Sequence, residues 1–200
     1  QARELAYQDP LTGLPNRRLF EEALRVAVAS PPSAGAVHAI LLLDLNGFKQ
    51  VNDVRGHDVG DAVLVVVAQR LLGAVRADEM VARLGGDEFV ILAQHLTGPD
   101  SASGIALRVI HGLAEPLVAG GSTHSIGVGI GITLLPGNAA TAEEAVRKAD
   151  VALYRAKAER RSAFRFFEEE MDRLVQERAQ LERLGVEVAT GVPVSAITAE

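Results

Sequence analysis

Val37–Leu45 is a continuous apolar run, the pattern of a buried central strand, and it carries Asp44 near its end. A carboxylate there is costly to bury unpaired. Asp44 is either a strand-end residue that caps the next loop or a metal ligand at the mouth of a sheet. Further along, Gly85-Gly86-Asp87-Glu88 separates two more apolar runs, Met80–Leu84 and Phe89–Ala93. Paired glycines between apolar runs predict a β-hairpin, with room for a ligand near the turn. Taken alone, Asp87 and Glu88 read as a solvated turn. If the hairpin pairs beside the Asp44 strand, Asp44 and Asp87 converge. Two carboxylates, completed by water and substrate phosphates, suit Mg²⁺ or Mn²⁺.

Between these acids lies a polar stretch, Asn46–Gly60, followed by Asp61. It reads either as an ordinary capped loop or as a nucleotide-recognition segment. In the second reading, backbone N–H groups and Lys49 meet phosphate. Asp61 accepts from the N1–H and amino group of guanine, and Asn52 offers a complementary amide. Lys157 and Arg161 are four residues apart and share a face if their helix extends that far. They either complement the helix dipole or grip a triphosphate. Other chemistries find no support. There is no Walker A motif, and Gly127-Val-Gly129-Ile-Gly131 misplaces the third glycine of a dinucleotide fingerprint. The five histidines lack ligand spacing, and His57 reads as a structural hydrogen-bonder.

The elements that must position these groups follow from periodicity and caps. Gln1–Gln8 reads as the end of an incoming helix and Asp9–Asn16 as an ordered loop. Asn16 caps a helix over Arg17–Ala29. Asp58 or Asp61 starts a helix running to about Val75, although its all-apolar Ala62–Ala68 segment also fits a strand by pattern alone. Pro99–Glu115 is a helix. Ser122–Leu135, with alternating glycines, predicts one or two strands with close backbone packing. Thr141 and Glu144 form a capping box ahead of another helix. Ala163–Phe167 is a last strand and Glu168–Leu184 a polar helix. The order implies an α/β (α+β) fold with a mixed central sheet flanked by helices. It fits a ferredoxin-like, palm-type core.

The 200 residues suffice for one domain with short appendages, and 48% hydrophobic content supports a sizeable core. Aromatics are only 4%, so Ala, Val, Leu and Ile must fill it. The net charge of −6 argues against a nucleic-acid polymer as partner but not against a mononucleotide. No cysteine is present, which excludes disulfides and thiolate metal sites. The apolar stretches fall well short of the ~20 residues that span a bilayer. A chain opening without an initiator Met reads as a fragment of a larger protein.

Five segments in order resemble the GGDEF family, the diguanylate cyclases. They are Asp9-Pro-Leu-Thr-Gly-Leu-Pro-Asn16-Arg17, Asp44-Leu-Asn-Gly-Phe-Lys49 through to Gly56-His-Asp-Val-Gly-Asp61, the signature Arg83-Leu-Gly-Gly-Asp-Glu-Phe89, Ser125-Ile-Gly127, and Ala149-Asp150 through to Lys157. The resemblance covers residues 9–167. It implies that residues 1–8 end an upstream signalling helix and that 168–200 lead towards a downstream domain. Phe166–Asp172 is similar to the linker before a phosphodiesterase EAL domain.

By resemblance, Asp44, Asp87 and the Leu45 carbonyl hold metal. Glu88 either joins them or activates the 3′-hydroxyl. Phe48, Asn52 and Asp61 belong to the substrate site, the latter two reading guanine. Lys49, Lys157 and Arg161 hold the triphosphate. The implied reaction joins two GTP into cyclic di-GMP across a homodimer, in the cytoplasm, in a parent protein that can be membrane-anchored. A catalytically silent GTP-binding regulator of a neighbouring phosphodiesterase is the alternative, and a purely structural dimerisation domain a third reading. The sequence also departs from the family pattern. The family's product-inhibition pair, Arg-x-x-Asp, is matched by Arg76 and Glu79; Glu79 is one methylene longer and Asp78 out of register, which puts feedback inhibition in question. Asn46 stands where many members carry Asp, Arg160 where glycine is common and Ser162 where Asn is common.

Overall fold

The computed structural model describes residues 6–185. Its elements are α1 (Arg17–Ala29), β1 (Val37–Asn46), α2 (Phe48–Arg55), α3 (His57–Ala74), β2 (Met80–Gly85), β3 (Glu88–Leu96), α4 (Pro99–Ala114), β4 (Leu117–Ala119), β5 (Ser122–His124), β6 (Gly127–Leu135), α5 (Ala142–Lys157), β7 (Ala163–Phe166) and α6 (Glu169–Arg183). The main sheet has the order β2-β3-β1-β6-β7, and β4 and β5 form a separate small hairpin. Only β6 and β7 pair parallel; β1 runs antiparallel to both its neighbours.

Strand alternation divides the core into two layers. Ala39, Leu41, Leu43 and Leu45 of β1 face Val63, Leu64 and Val67 of α3 and Ile105 and Val109 of α4. Ile40 and Leu42 face Phe20 and Leu24 of α1 and Ala145, Ala149 and Leu153 of α5. Two helices therefore cover each face, which is why β1 is apolar on both sides.

The expected helix and strand positions are found, with three corrections. The Asn46–Gly60 stretch is not a loop: α2 occupies Phe48–Arg55, with Gly47 as its N-cap at φ 86°. Its polar exposed face masked an inward pair, Phe48 and Val51, one turn apart. The following helix starts at His57 behind Gly56, not at Asp58 or Asp61. Ala62–Ala68 is helical. Of the expected incoming helix, residues 1–5 lie outside the described residues, and Ala6–Gln8 form a turn and a bridge to Pro15. The strand β4 was not anticipated.

The caps explain the helix starts. The Asn16 side chain accepts from the Leu19 N–H at 3.1 Å. Thr141 accepts from the Glu144 N–H at 3.1 Å, while Glu144 returns to the Ala140 N–H at 3.5 Å instead of the N-cap's own. The last helix is not a free extension. Val175 and Ala179 are buried, Gln176 donates to the Phe164 carbonyl at 2.7 Å, and Arg178 pairs with Asp100 at 2.9 Å. No helix among the described residues is long and apolar enough to cross a membrane.

At the end of β1 remote from Asp44, His38 is fully buried. Its Nε2 lies 2.8 Å from the Ser30 carbonyl, and its Nδ1 accepts from the His95 N–H at 3.0 Å. His95 has φ 56°, and the β1–β3 register shifts beside it. His38→Leu removes the acceptor of the His95 N–H and the partner of the Ser30 carbonyl, and is expected to lower stability by about 1 kcal/mol. Denaturant titration checks this, and GTP affinity is expected to be unchanged.

Candidate active site

Pairing places the acids. Asp44 lies opposite Glu88 across β1–β3 and opposite Gly129 across β1–β6. Both carboxylates emerge on the α1/α5 face, next to Leu42 and Val90, at the sheet's end. Asp87 sits in the β2–β3 turn, and its carbonyl accepts from the Leu45 N–H at 3.4 Å. Its carboxylate is near enough for its charge to act on Asp44. Burial, and then the Asp87 charge, push the Asp44 carboxyl above its ordinary range; Lys157 acts against both. Burial and Asp44 likewise raise Glu88, with Arg17 opposing and Asp150 adding.

Lys157 closes this cluster from the opposite side. Its Nζ lies 3.6 Å from Asp44 Oδ2 and donates to the Leu45 carbonyl at 3.3 Å and to Asn46 Oδ1 at 2.7 Å. The reach depends on how closely α5 lies on β6. A Cβ on Gly131 would fall 2.1 Å from the Ala149 carbonyl and 2.4 Å from the Leu153 nitrogen. Gly131 thus serves the close helix-on-strand packing that the alternating glycines implied.

The turn bearing Asp87 and Glu88 is clamped from behind. Arg83 donates through Nε and Nη2 to the Gly86 carbonyl at 3.0 and 2.9 Å, and through Nη1 to Asp9 Oδ1 at 3.0 Å. Thr12 supplies its N–H and hydroxyl to the other Asp9 oxygen at 2.9 and 2.7 Å. Burial works against the Asp9 charge, but the Thr12 and Arg83 bonds win and hold its carboxyl below the ordinary range. Asp9 and Arg83 lay within quoted motifs, yet their sequence gave no local sign of this contact. A separation of 74 residues hides it.

On the other side of the sheet's end stand α2 and α3. Gly47 offers no side chain to cap α2, so the N–H groups of its first turn are free to meet an anion. Lys49 is exposed there, and Asp61 is exposed in the second turn of α3. Asn52 is partly buried, and its Oδ1 is buried without a hydrogen-bond partner. A cleft of about 430 Å³ between α1 and α5 reaches Glu88 and is lined by Arg17, Phe20, Leu84, Val146 and Asp150.

The family model described as diguanylate cyclase, GGDEF domain, matches residues 6–163. The chain belongs to the GGDEF family. It is 40% identical over 178 residues to MucR of Pseudomonas aeruginosa, a bifunctional diguanylate cyclase/cyclic di-GMP phosphodiesterase. That match covers 89% of this chain and 26% of MucR, so the chain spans about a quarter of that relative's length. It is 35% identical over 169 residues to the cyclic di-GMP phosphodiesterase NbdA of the same species, covering 84% of this chain and 22% of NbdA. The solved GGDEF domain of TpbB (YfiN) from P. aeruginosa superposes with a TM-score of 0.77 at 39% identity, covering 84% of this chain and 99% of that one.

Within this GGDEF domain the expected residues divide. Asp44 and the Leu45 carbonyl share the Lys157 ammonium, with the Asp87 charge near Asp44 and Glu88 opposite Asp44 on β3. Lys49, Asn52 and Asp61 lie together on α2 and α3. The Phe48 ring is buried in the core at 6% exposure, so only its backbone N–H is available to substrate. Arg161 does not share a helix face with Lys157: α5 ends at Lys157, and Arg161 is exposed and 3.6 Å from Glu159. Arg160 takes φ 56°, the left-handed region that favours glycine. Ser162 accepts from the Val128 N–H at 3.1 Å.

Arg76 and Glu79 close the α3–β2 turn on each other. The Arg76 N–H donates to Glu79 Oε1 at 2.7 Å, and Arg108 lies 3.8 Å from the same oxygen. The Arg76 side chain is exposed, while that of Glu79 is only 6% exposed.

Among the described residues no three His, Cys, Asp or Glu side chains form a preformed metal cage. The donors at the hairpin are nonetheless all hard oxygens, and the Lys157 ammonium already rests against two of them. Two carboxylates and a carbonyl fit Mg²⁺ when phosphates and water complete its shell.

Proposed function

We propose that this GGDEF domain joins two GTP molecules into cyclic di-GMP, each domain of a homodimer holding one GTP. The observation supporting this is the convergence of Asp44, Asp87 and Lys157 at the hairpin turn, beside the free N-terminus of α2. Each 3′-oxygen bonds to the α-phosphorus of the other GTP, the bond from that phosphorus to the bridging oxygen breaks, and two pyrophosphates leave.

Asp44, Asp87 and the Leu45 carbonyl would hold Mg²⁺ or Mn²⁺. When bound, the metal neutralises phosphate charge and lowers the pKa of the 3′-hydroxyl. The N–H groups of Phe48 and Lys49, with the side chains of Lys49, Lys157 and Arg161, hold the triphosphate. Lys157, whose ammonium rests against the Asp44 carboxylate and the Leu45 carbonyl, would turn towards phosphate where those oxygens hold the metal. Asp61 accepts from guanine N1–H and its amino group, which adenine cannot match. Glu88 either adds a metal ligand or takes the hydroxyl proton; its raised carboxyl suits the second role. Residues 9–167 form the cyclase unit. Residues 1–8 arrive from an upstream signalling helix and 168–200 lead towards a downstream domain. GTP as substrate places the reaction in the cytoplasm, in a parent that can be membrane-anchored.

A second reading, a silent GTP-binding regulator of a neighbouring phosphodiesterase, is favoured by the likeness to a phosphodiesterase of which this segment matches 22%. One assay separates the two: chromatography of products from GTP and Mg²⁺ at low and high protein concentration, with Asp87→Ala and Glu88→Ala alongside. Cyclic di-GMP rising more than linearly with protein and vanishing in both variants is the expected result. GTP bound without product at any concentration supports the regulator.

A further inference from the structure

We propose that Gly60 is a positioning residue for base recognition: its missing side chain is the seat that receives the Asn52 amide and fixes which end of that amide faces substrate. The proposal rests on the assignment of Asn52 and Asp61 as the guanine-reading pair.

A Cβ on Gly60 would lie 1.8 Å from Asn52 Oδ1 and 3.0 Å from its Cγ, while the Phe48 ring stays 3.4 Å away. Among the described residues no other glycine has a side-chain atom so close. The backbone does not require glycine at this position. Gly60 sits inside α3 and is absent from the positive-φ glycines. Glycine there weakens the helix relative to alanine. A buried acceptor without a donor, Asn52 Oδ1, is a second local penalty. Both penalties fall on one contact, and that contact joins two elements that carry site residues. Local rules broken together in this way mark functional positions.

The contact also sets chemistry. With Oδ1 seated against Gly60, Nδ2 faces away from α3 and presents hydrogen-bond donors. Asp61, the next residue along α3, presents only acceptors. The Asn52 carbonyl accepts from the Gly56 N–H at 2.9 Å, and the Gly60 N–H reaches the Gly56 carbonyl at 3.1 Å, so the α2–α3 junction holds the two side chains in register. A donor and a carboxylate in fixed relation match guanine, which offers the N1–H and amino donors together with ring acceptors. Any side chain at position 60 displaces the donor.

The test uses Gly60→Ala, Asn52→Ala and the double variant. Thermal unfolding reads the contact. Gly60→Ala lowers the Tm in the wild-type background and raises it in the Asn52→Ala background, where only the helix preference remains. A rise in both backgrounds, or an equal fall in both, overturns the proposal. If Gly60→Ala does not fold, recovery of the fold in the double variant supports the seat, and failure to recover overturns it. Calorimetry in Mg²⁺ reads the function. Gly60→Ala weakens GTP at least tenfold and leaves inorganic tripolyphosphate within twofold, whereas general damage to α2 would weaken both. Loss of GTP in Asn52→Ala but not in Gly60→Ala overturns the positioning role alone. Undiminished GTP binding by Asn52→Ala overturns the base-reading assignment and the proposal with it.

Discussion

Asp44→Asn is expected to lower cyclic di-GMP formation about 10³-fold, measured as initial rate at saturating GTP across a Mn²⁺ titration. The amide keeps the shape of the side chain and its place on β1 but removes the charge that offsets a divalent cation. Binding of Mn²⁺ alone, followed by its electron paramagnetic resonance, is expected to weaken in parallel. Stability moves the other way. The Asp44 carboxyl is raised in the folded state by burial and by Asp87, so the native domain binds its proton more tightly than the unfolded chain does. Stability of the metal-free domain therefore rises as pH falls from neutral through the raised folded value, until the ordinary value of 3.8 is reached. Asp44→Asn lacks this component of the slope, and comparing denaturation of the two proteins across that window isolates it. A functional carboxylate held in an unfavourable setting is the trade that active sites commonly show.

Asp9→Asn carries the second large effect. The Asp9–Arg83 pair is mostly buried, with side chains only 12% and 13% exposed. The Asp9 charge also receives two bonds from Thr12. Removing the charge is expected to cost about 2 kcal/mol at pH 7. For a domain of this size that is roughly 4–8 °C in Tm. The sign with pH is opposite to that of Asp44. Asp9 is depressed in the folded state, so its contribution is present above the ordinary 3.8 and is lost as pH falls through the lower folded value. Wild type and Asp9→Asn therefore converge in strong acid. Turnover is expected to fall at least about tenfold as well, because Arg83 then holds the Gly86 carbonyl without its own anchor. An unchanged rate in a destabilised variant would show that the clamp serves folding alone.

Much of the fold was legible because its signals are local. The Asn16 cap, the apolar runs of β1 and the hairpin strands, and the spacing of α5 each sit within a few residues of the element they define. Helix α2 escaped because eight residues give barely two turns, and only Phe48 and Val51 mark its inner face among polar neighbours. Strand β4 is three residues long and carries no periodicity to read.

The sequence by itself determined the candidate acids, the hairpin that bears two of them, and the family. These rest on residue type and on short spacings. The tertiary structure alone decided which groups meet. Lys157 reaches the Leu45 carbonyl across 112 residues of chain, Arg83 finds Asp9, and Asn52 seats on Gly60. It also separated Arg161 from Lys157 by ending α5 between them, and turned the Phe48 ring into the core. The physical reason is that burial, charge proximity and close backbone approach belong to pairs of elements. No single stretch of sequence records its neighbour across the sheet.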